Sequence, residues 1–188
     1  MPLLVTHMLD NQSIIATVKQ WLEKIVIGLE LCPFAKKTFD SDKIRYAVSD
    51  STDVESLMLV LHDELKLLEE NPSIETTLVI IHQQLDGFES FNQVLDFVDN
   101  LLEQYDWIGV FQVASFHPQY QFSGTDIDDR ENWTNRSPYP ILHLLRESSL
   151  EQAIEKYPNV DDIPQRNIKT LNTLSDQQFA QIFLTNHA

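Results

Sequence analysis

Two nearly unbroken apolar runs constrain this chain more than anything else in it. Glu75 to His82 carries Leu78-Val79-Ile80-Ile81 in succession, and Trp107 to Phe116 is almost as apolar. Such short runs, bounded by turn residues, read as central strands covered on both faces, so layers are required above and below a sheet. Between them, Asp86-Gly87 turns the chain into a helix, Phe88 to Tyr105, in which Phe91, Leu95, Val98 and Leu102 recur at helical spacing. Upstream, Ile44 to Ser49 reads as a strand. The next helix turns Leu57, Val60, Leu61, Leu65 and Leu68 inward, is headed by Thr52 and Glu55 as a capping box, and ends near Asn71-Pro72. Three main strands alternating with helices predict right-handed crossovers and a layered α/β domain.

The flanks are expected to be helical. A first helix spans Ser13 to Leu31 with Ile14, Ile15, Val18, Leu22, Ile25 and Leu29 on one stripe, and it breaks before Pro33. A short turn, Phe34 to Thr38, comes next. The C-terminal region reads as helices Pro140 to Arg146, Leu150 to Tyr157, Ile163 to Leu171 and Asp176 to Leu184, the last headed by a capping box of Ser175 and Gln178. Strand order is not legible from sequence, so a mixed sheet or a ferredoxin-like α+β arrangement stands as the alternative.

A chain of 188 residues can bury a substantial core, and residues 1–188 read as a single domain. The formal charge of -16 disfavours nucleic acid and anionic membrane as partners. An anion is held only where the few cations gather. Cys32 is the single cysteine, so no intrachain disulfide forms, and the N-terminal MPLLVTHML lacks the charge and cleavage pattern of a secretory leader. The expected setting is cytoplasmic. Neither a cofactor nor an oligomeric state is legible.

Polar chemistry concentrates between Phe116 and Glu147. His117 comes directly after an apolar strand, where α/β sheets gather ligands, and reads either as a general acid or base or as a hydrogen-bonded strand stop; Tyr120 would share its pocket. Asn135-Arg136-Ser137-Pro138-Tyr139-Pro140 is stiff enough to aim an arginine and backbone amides at an anion. His143, on the expected helix, would share a face with Arg146 and Glu147, which reads either as part of a site or as a surface salt-bridge set. Cys32 sits where an N-cap would be, near Lys36 and Lys37. It reads either as an activated nucleophile or as a small buried hydrophobe.

Seven of the 13 basic residues (Lys36, Lys37, Lys43, Arg45, Arg130, Arg136 and Arg146) lie in two short segments. If the segments meet, they form an anion site, and Arg45 and Arg136 read either as gripping a carboxylate or phosphate or as partners of local acids. Arg130 reads instead as a partner of local acids. Asp126, Asp128 and Asp129 lack EF-hand spacing for magnesium and read instead as an exposed acidic loop, and Cys32, His117 and His143 lack the paired ligand spacing of a zinc site. His7, His62, His82 and His187 read as structural.

The chain carries motifs that resemble the bacterial domain-of-unknown-function 1415 family: Leu31-Cys32-Pro33-Phe34-Ala35; Phe116-His117-Pro118 with Tyr120 and Phe122-Ser123-Gly124; Thr134 to Pro140 leading to His143-Leu144-Leu145-Arg146-Glu147; and Ile163 to Ile168. The resemblance extends over most of the chain and implies no reaction. The expected function is a small-molecule enzyme acting on an anionic metabolite. Cys32 and His117 would be its catalytic pair, with Arg45, Tyr120, Asn135, Arg136, Tyr139, His143 and Arg146 binding the substrate. The alternative is a non-catalytic ligand-sensing or protein-binding module using the same pocket.

Overall fold

The structure, a computed structural model, describes residues 10–157 and 159–184. His7, His187 and the MPLLVTHML segment lie outside that range. Helix α1 (Asn11–Trp21) begins at Asp10, whose carboxylate accepts the amides of Gln12 and Ser13. It does not continue unchanged to Leu31. A π-helical segment, Leu22–Ile27, takes over, and the Leu31 amide reaches back to the carbonyl of Val26. The wider turn shifts the helical face presented to the core. Trp21 continues the α-helical stripe of Ile14 and Val18, and Val26 is buried with Leu22 and Ile25 in the π-helical turn, whereas Ile15 and Leu29 are only partly buried. A short helix α2 (Ala35–Asp40) leads into strand β1 (Ile44–Ser49).

Helix α3 (Val54–Glu70) is capped by Asp53, not Thr52. The Asp53 carboxylate accepts the Ser56 amide, so the cap falls one residue later and the expected Thr52–Glu55 capping box does not form. Leu57, Leu61, Leu65 and Leu68 are fully buried along it. Burying such a side chain is worth roughly 1.5–3 kcal/mol. Strand β2 (Thr76–Ile81) is buried at every position, as its unbroken apolar run predicts. Helix α4 (Phe88–Gln104) starts from Gly87 and buries Phe91, Val94, Val98 and Leu102. Strand β3 (Phe111–Phe116) is shorter than its apolar run, because Trp107 to Val110 is spent in a turn with Gly109 at φ +80°. It also lies at an edge of the sheet, not its centre.

The largest departure is at Pro140 to Arg146, where the sequence predicts a helix. Ile141–Arg146 forms strand β4, antiparallel to β2 on one side and β3 on the other. A six-residue run with apolar side chains on both faces satisfies the helical and strand periods equally. The unpaired edges of β2 and β3 decide between them. The order is β1-β2-β4-β3. One βαβ unit keeps its parallel strands adjacent, β1–α3–β2, and the next, β2–α4–β3, is split by β4. The fold is thus α/β with a four-stranded mixed sheet, and it borrows the split pairing of the ferredoxin-like alternative.

Two cores result. Val79, Ile81, Leu142, Leu144 and Phe111 pack under α3 and α4. The second core lies on the other face of the sheet. In it Leu78, Ile80 and Ile141 pack under α1, with two C-terminal pieces, helix α6 (Ile163–Thr173) and the π-helical turn Ala180–Leu184, contributing Leu171 and Phe183. Helix α5 (Glu147–Glu155) comes directly after β4, and α7 (Asp176–Phe179) carries the expected Ser175–Gln178 capping box. Among the described residues no helix is long and apolar enough to cross a membrane.

Candidate functional site

His117 directly follows β3 and turns into the α4-side layer. Its ring is fully buried between Phe88 and Phe91. Nε2 lies 2.9 Å from the carbonyl of Leu85, and the Gln119 amide lies 3.0 Å from Nδ1. A carbonyl only accepts and an amide only donates, so His117 is the neutral Nε2–H tautomer with both nitrogens committed. Burial pushes its pKa down, against smaller upward pulls from the Leu85 carbonyl and Asp86. The residue staples the β2–α4 loop to the loop after β3.

Cys32 lies on the other face of the sheet, half-buried against the α1-side core. Burial pushes its thiol pKa up. The amides of Phe34 and Ala35 pull it down, as a helix start should, but by less. The sequence context predicts a lowered pKa; desolvation reverses it. Thiol and imidazole do not meet, since the sheet separates them.

The arginines are also dispersed. Arg45 grips Glu64 of α3 with Nε and Nη2 at 2.6 and 2.8 Å, which holds its pKa up and occupies the fork meant for an anion. Arg146 is at the far end of β4, paired with Phe111, whereas Ile141 pairs with Phe116 beside His117. Five residues of strand put it roughly 17 Å from that end. Its guanidinium donates to the carbonyls of Leu68, Asn71 and Ile74, closing the C-terminus of α3. The shared helix face of His143, Arg146 and Glu147 does not exist, because a strand sends residues 143 and 146 to opposite faces. His143 lies on the α1 side, its Nε2 2.7 Å from the Thr76 hydroxyl. That hydroxyl donates to the Leu144 carbonyl, so the imidazole is the donor to it. Burial pushes the His143 pKa down to about 4.

Arg136 comes nearest to the expectation. Its guanidinium stacks 4.6 Å over Trp133, in the same layer as Cys32, and donates to the carbonyls of Tyr120 and Ile127. Burial lowers its pKa, with Asp128 opposing. Two of its three nitrogens thus brace the loop from Tyr120 to Ile127. Asn135 accepts the His117 amide through its carbonyl, Tyr139 accepts the Ser137 hydroxyl, and Tyr120 packs on Phe88 and Phe122. Asn132, which no sequence motif singles out, is fully buried at the loop's centre. There it accepts from the Phe122 amide and the Thr125 hydroxyl and donates to the Asp126 carbonyl. Arg130 pairs with Asp176 and the carbonyls of Leu171 and Leu174 instead of its sequence neighbours. Asp129 accepts the Asp126 amide within its own loop. Among the described residues no three His, Cys, Asp or Glu side chains gather as metal ligands.

The nine expected site residues therefore do not line one hollow. A concave surface lies instead on the outer face of α3 and α4, a groove of about 680 Å³ lined by Met58, Leu59, His62, Phe97, Leu101 and Tyr105. A signal for it exists in the sequence. Leu59 and Phe97 fall off the buried stripes of their helices, which leaves large apolar side chains on faces that should be polar.

The family described as "Protein of unknown function (DUF1415)" matches residues 13–181. No curated protein and no solved structure matches the chain.

Proposed function

The chain belongs to the DUF1415 family, and from that premise, which carries no reaction, we propose that it is a non-catalytic protein-binding module. One observation carries this reading: the groups that catalysis would use are spent on holding the scaffold. Both nitrogens of His117 bond to backbone, Arg45 is closed on Glu64, and Arg146 closes α3. Meanwhile large apolar side chains are left outside on α3 and α4. Buried polar networks satisfied in this way confer rigidity, and an exposed apolar patch on a rigid body is the ordinary mark of an interaction surface. A cytoplasmic setting fits the lone thiol.

The enzyme reading retains one favouring observation, the two amides directed at Cys32. Alkylation by iodoacetamide at neutral pH separates the two. The binding-module reading expects Cys32 to react more slowly than glutathione, because burial raises its pKa. It also expects the His117 ring, followed by NMR, to titrate below 6.5. Faster labelling than glutathione, slowed by added phosphate or carboxylate, would instead restore the enzyme acting on a small anion.

A further inference from the structure

We infer that the groove between α3 and α4 receives a cationic amphipathic helix from another protein. The inference rests on the binding-module reading and names the partner's chemistry. Phe97, Leu101 and Tyr105 are spaced by four residues, so they form one row along α4. Met58, Leu59 and His62 form the facing row on α3. The α4 row is roughly 12 Å long, the length of two helical turns, and the α3 row roughly 6 Å. These are not incidental surface residues: Leu59 is 64% exposed, Phe97 54% and Tyr105 43%. Ile108, at 67%, and Val110, at 43%, extend the apolar surface into the turn after α4. One wall is held firm by ring packing, since Tyr105 stacks on Trp107 at 5.2 Å and packs at a tilt against His62 at 4.5 Å.

Charge selects the occupant. Glu55 and Asp63 line the groove itself. Helix α3 carries five acids and one lysine, and α4 carries four acids and no lysine or arginine. Of these nine acids only Glu64 is closed on an arginine. An apolar floor inside an acidic rim suits a helix with leucine-like anchors on one face and lysine or arginine flanking them. A second copy of this chain does not suit it, because two molecules of charge -16 would bring two acidic rims together. An anionic lipid surface fails for the same reason.

The test uses the full chain and a synthetic leucine–lysine amphipathic helix of about four turns, with a leucine–glutamate twin as control. Fluorescence anisotropy at about 0.15 M salt reads binding. The lysine peptide should bind and the glutamate twin should not. Phe97→Asp should weaken binding about tenfold or more, the worth of one buried apolar anchor, even though it adds a negative charge. Leu59→Ser should act in the same direction, and thermal melts confirm that both variants fold. Equal or tighter binding to Phe97→Asp would show attraction by net charge alone and overturn the inference. So would binding of the glutamate twin, or no binding of either peptide. Phe97-dependent dimerisation seen by light scattering would make a second copy the occupant; the inference would then fail while the binding-module reading stood. That reading fails separately, through Cys32 and His117, which take no part in this groove.

Discussion

At the scale of single residues, the two histidines of the central region show how burial reassigns a group that sequence marks as chemical. His117 stands at a strand end, where a general base is expected, yet two backbone partners leave it nothing to offer a substrate. His143, expected on an open helix face, is instead beside Phe116 and bonded to Thr76. Both are held neutral by desolvation, and that has a measurable sign. A pKa pushed from 6.5 to about 4 means that the unfolded chain takes up the His143 proton first as pH falls. The contribution is complete above pH 6.5, declines as pH falls towards 4, and is gone below it. Its full size is on the order of 3 kcal/mol. Urea unfolding at a series of pH values should show this decline, and His143→Gln should flatten it. A wild-type profile that the substitution leaves unchanged would remove His143 as its source.

At the scale of elements, β4 is the piece on which the site expectation turns. Helix and strand place His143, Arg146 and Glu147 differently. Only in the strand does Arg146 reach the end of α3. There it meets carbonyls that have no intrahelical partner and the negative end of the helix dipole. Arg146→Met should therefore destabilise the fold by about 2 kcal/mol, since the freed carbonyls of Leu68, Asn71 and Ile74 lose charge-assisted partners. Arg146→Lys should recover part of that, because an ammonium supplies the charge but not the fork. Chemical denaturation reads both. A neutral Arg146→Met would mean that the helix end is satisfied without it. Strand β2 is the opposite case. Its unbroken apolar run excludes any amphipathic alternative, and sequence and structure agree.

At the scale of the whole molecule, the charge of -16 acts on every part at once. Acids crowd α3 and α4 while Arg45, Arg130 and Arg136 are engaged by Glu64, Asp176 and loop carbonyls. Self-repulsion of the surface should make the melting temperature rise with added sodium chloride over the first few tenths molar, as the Debye length contracts from roughly 30 Å to below 8 Å. A falling melting temperature over that range would show that the ion pairs, which salt weakens, outweigh the repulsion.

By itself the sequence determined the helices α3 and α4, the strands β1 and β2, the α/β class and the acidic surface, because local periodicity and composition suffice for each. It also marked the residues around Cys32, His117 and Arg136 as unusual for their environment. Only the tertiary structure decided that Ile141 to Arg146 is a strand, that Cys32 and His117 lie on opposite faces of the sheet, and that Arg45 and Arg146 are spent on α3. Those outcomes depend on which distant group satisfies a buried donor or an open strand edge. That is a property of the packed chain, since Arg45 and Glu64 are nineteen residues apart and Arg146 and Leu68 seventy-eight.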